Sequence, residues 1–186
     1  VPKSTAAEIH SAISAAESAF NAWRQVPVVD RTQALFRLKT LMEQDIENLA
    51  HIITRENGKT LEDSRGEARR AIENIEVATG APSLMMGSNL ENVSTGIDEY
   101  AVRQPLGIFG MVPPFNFPAM VPMWFMPYAV ACGNTYIIKP SEQTPMAQAR
   151  IAELAVESGF PQGVLSVVHG SRQISEKLLE DPRIAG

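Results

Sequence analysis

A helical amino-terminal part followed by a parallel α/β sheet with helices packed on it is the fold class this sequence predicts, and three observations predict it. The first eighty residues carry their apolar side chains at helical spacing. Gly107 to Val112 and Thr135 to Ile138 are short, continuous apolar runs, the pattern of strands buried on both faces. From Gly107 onward such runs alternate with helical segments, and βαβαβα order implies parallel strands joined by right-handed crossovers.

The elements follow in order. Ser4 and Thr5 precede apolar positions Ile9, Ala12, Ile13, Ala16, Phe20 and Trp23, and Thr5 with Glu8 has capping-box spacing. A second helix is expected from about Val29, with Leu35, Leu38, Leu41, Met42, Ile46, Leu49, Ile52 and Ile53 on one side and Asn57-Gly58 as a left-handed stop. A third starts at Thr60, carries Ala68, Ala71, Ile72, Ile75 and Ala78, and ends at Gly80 and Pro82. Gly87 to Gly96, rich in Ser, Asn, Thr and Gly, reads as a connector. Glu99 to Arg103 alternates like a half-exposed strand. Beyond the strand at 107–112, a helix is expected over 119–131, a strand over 135–138, a helix over 144–158, a strand over 164–168 and a helix over 171–180.

Composition narrows the function classes. With 186 residues, 45% hydrophobic and 20% charged, the chain can bury a core, and a net charge of −5 gives no basic footprint for nucleic acid. The single Cys132 cannot form an internal disulfide, and no Cys/His spacing resembles a metal site, so no metal is expected and a reducing compartment fits, the cytoplasm or an organelle matrix. No targeting peptide can be read at Val1-Pro2-Lys3, where the sequence starts without an initiator Met. The 35 residues from Gln104 to Ile138 lack any charge, yet Pro113, Pro114, Pro118, Pro122 and Pro127 interrupt them, which argues against a membrane span.

In a parallel sheet all the strand carboxyl ends lie along one edge, where ligands bind. Asn116 follows the first buried strand, Lys139 closes the second, and His169-Gly170 closes the third. Asn116, between Pro114-Phe115 and Phe117-Pro118, is read as a buried amide. It fits two roles, a donor to an oxyanion in a dry pocket or the N-cap of the helix that follows; spacing leaves both open. Lys139 and Glu142 are close enough to hold ribose hydroxyls, or to form an ordinary surface ion pair. No GxGxxG follows any strand. Arg69 and Arg70 sit among Glu67, Glu73 and Glu76, either on a solvated helix face or with one guanidinium gripping a substrate carboxylate. Cys132 has no base nearby in sequence and reads as a structural thiol. His10, His51 and His169 form no triad, and Met120, Met123, Trp124, Phe125 and Met126 are expected in the core.

Three motifs carry a resemblance over the whole chain: RENGKT at Arg55 to Thr60, QPLGIFGMVPPFNFP at Gln104 to Pro118, and CGNTYIIKPSEQTP at Cys132 to Pro145. The sequence resembles the aldehyde dehydrogenase superfamily, and SLMMG at Ser83 to Gly87 and GEARRAIENIE at Gly66 to Glu76 look like its CoA-acylating semialdehyde branch. The resemblance implies part of a Rossmann-like NAD-binding domain. It implies Asn116 as the oxyanion asparagine, Lys139 and Glu142 as ribose contacts, Pro113 and Phe115 as the nicotinamide-side loop, and Arg70 as the holder of the substrate carboxylate. Gln143 stands where Arg is usual, which would soften cofactor contact. The reaction implied is NAD-dependent oxidation of malonate or methylmalonate semialdehyde with acyl transfer to CoA.

The same resemblance sets the expected organisation: 1–96 a helical part of the cofactor-binding domain with its connector, 97–106 a strand of an oligomerisation element, and 107–186 an incomplete Rossmann-like domain. The family's catalytic Cys and general-base Glu would lie beyond Gly186, since Cys132 does not match that position. The 186-residue chain alone is therefore expected to be inactive, and a homo-oligomer is expected at full length.

Overall fold

Thr5 opens the first helix with a reciprocal cap: its Oγ1 accepts from Glu8 N, and Glu8 Oε2 accepts from Thr5 N. The computed structural model describes residues 3–186; Val1 and Pro2, with which the expected helical part begins, lie outside the described residues. Helix α1 runs Ala6–Trp23, α2 Val28–Gln44, α3 Ile46–Asn57 and α4 Leu61–Ala78. Gly58 stops α3 at φ 87°, a left-handed angle that glycine adopts without a steric penalty. Thr60 Oγ1 then accepts from Asp63 N to start α4.

The single helix expected from Val29 to Asn57 is two. Asp45 leaves helical geometry (φ −95°, ψ 6°), and its carboxylate accepts from Arg150 Nε at 3.0 Å and Nη2 at 3.1 Å. No proline or glycine marks this break; a bidentate pair to a helix a hundred residues away holds it.

A one-turn helix α5 (Ala81–Leu84) leads into a second departure from expectation. The stretch read as a connector is a strand, β1 (Ser88–Ser94), paired antiparallel with β2 (Ile97–Ala101). Ser94 stands opposite Ile97, so Thr95 and Gly96 form a two-residue turn, and Gly96 supplies the φ of 75° such turns favour. The hairpin is exposed throughout, not half-exposed.

The second sheet holds β3 (Ile108–Met111), β4 (Thr135–Ile138) and β5 (Leu165–Val167), all parallel, in the order β3-β4-β5. Between them lie α6 (Met120–Met123), α7 (Met126–Ala131) and α8 (Met146–Glu157), and α9 (Arg172–Glu180) follows β5. The helix expected over 119–131 is broken at Trp124-Phe125. Those two side chains are exposed, not core, whereas Met123 and Met126 are fully buried. After α9 the chain returns to the far side of β3: Ile108 pairs parallel with Ile184, Ala185 N donates to Ile108 O, and Gly110 N donates to Gly186 O.

Helices cover both faces of this sheet. Tyr136 and Ile138 point into a core with Leu35, Leu38, Met42, Leu49, Ile72, Ile75 and Met123, while Ile137 points the other way, to Ile9, Ile13, Ile174 and Leu178 of α1 and α9. That alternation is why the strands are apolar at every position. The fold class is as expected: helices first, then βαβαβα with helices on both faces.

Candidate active site at the carboxyl edge of the sheet

Strands β3, β4 and β5 step in one direction and residues 184–186 return beside β3. The order reverses at β3, and the crevice outside the strand ends at such a reversal is where open α/β sheets take ligands. The loop Val112 to Pro118 leaves β3 at that point.

Four side chains, from α3, α8 and the segments next to them, tie down the carbonyls of this loop. Phe115 O accepts from Asn57 Nδ2 at 2.8 Å and Thr144 Oγ1 at 3.3 Å, Asn116 O from Lys59 Nζ at 2.8 Å, and Pro118 O from Gln148 Nε2 at 2.7 Å. Phe117 O accepts from Val121 N at 3.3 Å. Four consecutive carbonyls are thus engaged, so the loop is held through its backbone while the Phe115 and Asn116 side chains stay exposed.

Asn116 is not the N-cap. The helix begins at Met120 after Ala119 with no side-chain cap of its own, and its first N–H groups, Ala119 N and Met120 N, donate to Oε1 of Glu67 at 2.8 and 3.2 Å. Glu67 Oε2 in turn takes Lys59 Nζ at 2.5 Å. Asn116, expected as a buried amide, is exposed, as are Phe115 and Phe117; among the described residues no element packs over the outer side of the loop. Pro113 is buried behind them.

Asn116 shares a cavity of about 500 Å³ with Lys59, Asp63, Gly66, Glu67, Arg70, Phe117 and Met120. Arg70 is brought to this cavity, with its side chain 72% exposed and Nε 3.7 Å from Glu73. Its grip on Glu73 is loose enough to exchange for a ligand carboxylate. Arg69 points elsewhere, to Glu43 of α2. Glu67, grouped by sequence with the solvated face, is 3% exposed.

Lys139 and Glu142 also meet. Lys139 is buried, its Nζ donates to Gly170 O at 2.9 Å, and Glu142 Oε2 lies 3.8 Å away with its side chain 57% exposed. Burial pushes the Lys139 ammonium below its ordinary value, and Glu142 offsets part of that. Gln143, beside them, is exposed and donates its N–H to Ser141 Oγ. His169, at the end of β5, donates its backbone N–H to Ser4 Oγ; burial pushes its imidazole down.

Cys132 lines a different, apolar cavity of about 550 Å³ with Phe109, Met111, Trp124, Phe125 and Tyr136. Burial raises its thiol, against a smaller opposing pull from Arg31 and Arg103. It does not face Asn116. Among the described residues no group of His, Cys, Asp and Glu is placed to hold a metal ion. No helix among them is long and apolar enough to cross a membrane.

Lys59, Glu67, Asn57, Thr144 and Gln148 were not singled out from sequence. For Glu67 and Gln148 a signal existed. Glu67 falls on the stripe Ser64, Ala68, Ala71, Ile75, and Gln148 on the stripe with Ile151 and Ala155, so helical spacing alone puts both inside.

A reversing parallel sheet with helices on both faces is the doubly wound α/β arrangement, in which ligands generally bind at the strand ends beside the reversal. The chain belongs to the aldehyde dehydrogenase family, whose profile matches residues 1–186. It is 48% identical over 180 residues to malonate-semialdehyde dehydrogenase 2 of Geobacillus thermodenitrificans, covering 97% of this chain and 37% of that protein. The methylmalonate-semialdehyde dehydrogenase DddC of Oceanimonas doudoroffii superposes with a TM-score of 0.95 at 42% identity, over 98% of this chain and 37% of that one. A chain from Sinorhizobium meliloti assigned the same activity and crystallised with NAD superposes with a TM-score of 0.96 at 37% identity, over 99% and 38%. The chain therefore spans a little over a third of the length of the relatives it matches.

Proposed function

We propose that this chain forms the cofactor-facing and oxyanion-stabilising part of an NAD-dependent dehydrogenase for malonate or methylmalonate semialdehyde that passes its acyl group to CoA. The observation that carries the reading is the single cavity shared by Asn116 and Arg70. It offers an amide N–H donor for a carbonyl oxygen and a guanidinium for a carboxylate, the two polar groups of such a semialdehyde.

Attack on the aldehyde carbon moves negative charge onto its oxygen. Asn116 Nδ2–H would donate to that oxygen, and because the loop backbone is already clamped the donor needs no reorganisation as charge develops. Arg70 would hold the far carboxylate and so set the distance between carbonyl and donor. NAD, when bound, accepts the hydride released from the aldehyde carbon.

The residues at the sheet edge fit that cofactor. Glu142 keeps its carboxylate largely in solvent, free to accept from ribose hydroxyls, with the Lys139 ammonium beside it as a donor. A carboxylate there repels a 2′-phosphate, which favours NAD over NADP. Pro113 and Phe115 would flank the nicotinamide side, and Gln143 would add a neutral contact. The nucleophile is not Cys132, which opens on the other cavity. The exposed hairpin, with Tyr100 76% and Leu90 57% exposed, is read as the surface for subunit pairing.

The test is an NADH-absorbance assay on the protein as its gene encodes it, with malonate semialdehyde, with and without CoA. CoA-dependent turnover and a thioester product support the reading. Turnover to free acid without CoA favours a hydrolytic semialdehyde dehydrogenase, and no NAD reduction with any semialdehyde sinks both.

A further inference from the structure

We infer that Lys59 is a positioning residue for the Asn116 amide, acting through the Asn116 carbonyl; the inference rests on the reading of Asn116 given above. Lys59 stands in the turn between α3 and α4, within the RENGKT motif, and its ammonium makes three contacts. It donates to Asn116 O at 2.8 Å, pairs with Glu67 Oε2 at 2.5 Å, and lies 4.3 Å from the centroid of the Phe117 ring. A single charge thus touches the backbone of Asn116 and the side chain that follows it.

The other end of the arrangement is fixed. Glu67 is buried on α4 and holds Ala119 N and Met120 N with its second oxygen. Lys59 is therefore the link between a rigid anchor and the peptide unit that carries the proposed donor. Asn57 performs the parallel task one residue earlier, at Phe115 O. The Lys59 side chain is 14% exposed, so its contacts are largely shielded from solvent. With its charge already matched by Glu67, Lys59 serves to fix geometry more than to attract an anion.

Loss of this link would let the Asn116 peptide rotate and the amide leave its direction. A misplacement of about 1 Å at a reacting group costs on the order of a hundredfold in rate. Substrate grip by Arg70 and cofactor grip by Glu142 come from side chains that Lys59 does not touch.

The experiment is a double-mutant cycle of Lys59→Met and Asn116→Ala in the protein as its gene encodes it, read as kcat, KM for the semialdehyde and Kd for NAD. The expected result is a tenfold to hundredfold fall in kcat for Lys59→Met, roughly, with KM and Kd within about twofold, substantial recovery in Lys59→Arg, and less than about twofold further loss when Lys59→Met is added to Asn116→Ala. If Lys59→Met does not fold, Lys59→Met/Glu67→Gln removes both charges while the amide oxygen still accepts from Ala119 and Met120, and it replaces Lys59→Met in the cycle. Full additivity overturns the inference and makes Lys59 a structural residue, as does an unchanged kcat in Lys59→Met. A wild-type kcat in Asn116→Ala alone sinks the underlying reading and takes this inference with it.

Discussion

Glu67, inside α4, caps a helix that starts more than fifty residues later: its Oε1 accepts from Ala119 N at 2.8 Å. The same carboxylate pairs with Lys59 and lies almost wholly out of solvent. One buried acid therefore joins the helical layer to the loop at the sheet's reversal, and its removal leaves two N–H groups without their acceptor and the Lys59 ammonium without its counter-charge. Glu67→Ala is expected to lower stability by about 2–4 kcal/mol, and Glu67→Gln by less, measured by urea unfolding.

Arg70 is exposed, so Arg70→Gln is expected to leave stability within about 0.5 kcal/mol. Its effect should fall on substrates that carry a carboxylate. KM for malonate semialdehyde is expected to rise on the order of tenfold to a hundredfold, while KM for propanal stays close to wild type, since a charge-assisted hydrogen bond contributes roughly 1.5–3 kcal/mol. Equal changes for both aldehydes would remove Arg70 from carboxylate recognition.

Glu142 tests the cofactor edge without disturbing the fold, being exposed and paired with Lys139 only at 3.8 Å. Glu142→Ser is expected to weaken NAD binding about tenfold and to narrow the NAD-over-NADP preference by a similar factor, measured by calorimetric titration of both cofactors. An unchanged preference would assign the discrimination elsewhere.

Asp181 and Arg183 fix the turn that leads into the returning segment 184–186. Arg183 Nε and Nη2 donate to the Asp181 carboxylate, whose pKa is lowered to about 2, chiefly by those hydrogen bonds. A carboxyl group with a depressed folded-state pKa stabilises the fold above its unfolded value near 3.8, and that contribution is lost as pH falls towards 2. Lowering pH from 5 to 2 is expected to lower the melting temperature through this pair, modestly because solvent screens it, and Asp181→Asn should abolish that part of the pH dependence in thermal melts.

The sequence carried most of the fold because its signals were local. Thr5 with Glu8, Gly58 and Thr60 with Asp63 each mark a helix end within four residues, and all three ends fall where expected. The break at Asp45 was hidden, because Arg150 that holds it lies 105 positions away. The hairpin was hidden for another reason: β1 has no apolar alternation, and only the Thr95-Gly96 turn signals it. At the candidate site, Asn116 was legible as an amide inside an uncharged run and Lys139 as the first charge after it. The residues that hold the loop were less so: Glu67 and Gln148 lie on the buried stripes of α4 and α8, whereas Lys59 sits in a turn, where spacing carries no information about burial.

The most direct measurement is kcat for Asn116→Ala with malonate semialdehyde and saturating NAD, in the protein as its gene encodes it. A fall of about a hundredfold to a thousandfold, with KM and NAD affinity nearly unchanged, is the result expected of a donor that acts on charge developed during the reaction. An unchanged kcat, or a change confined to KM, would contradict the oxyanion role of this loop.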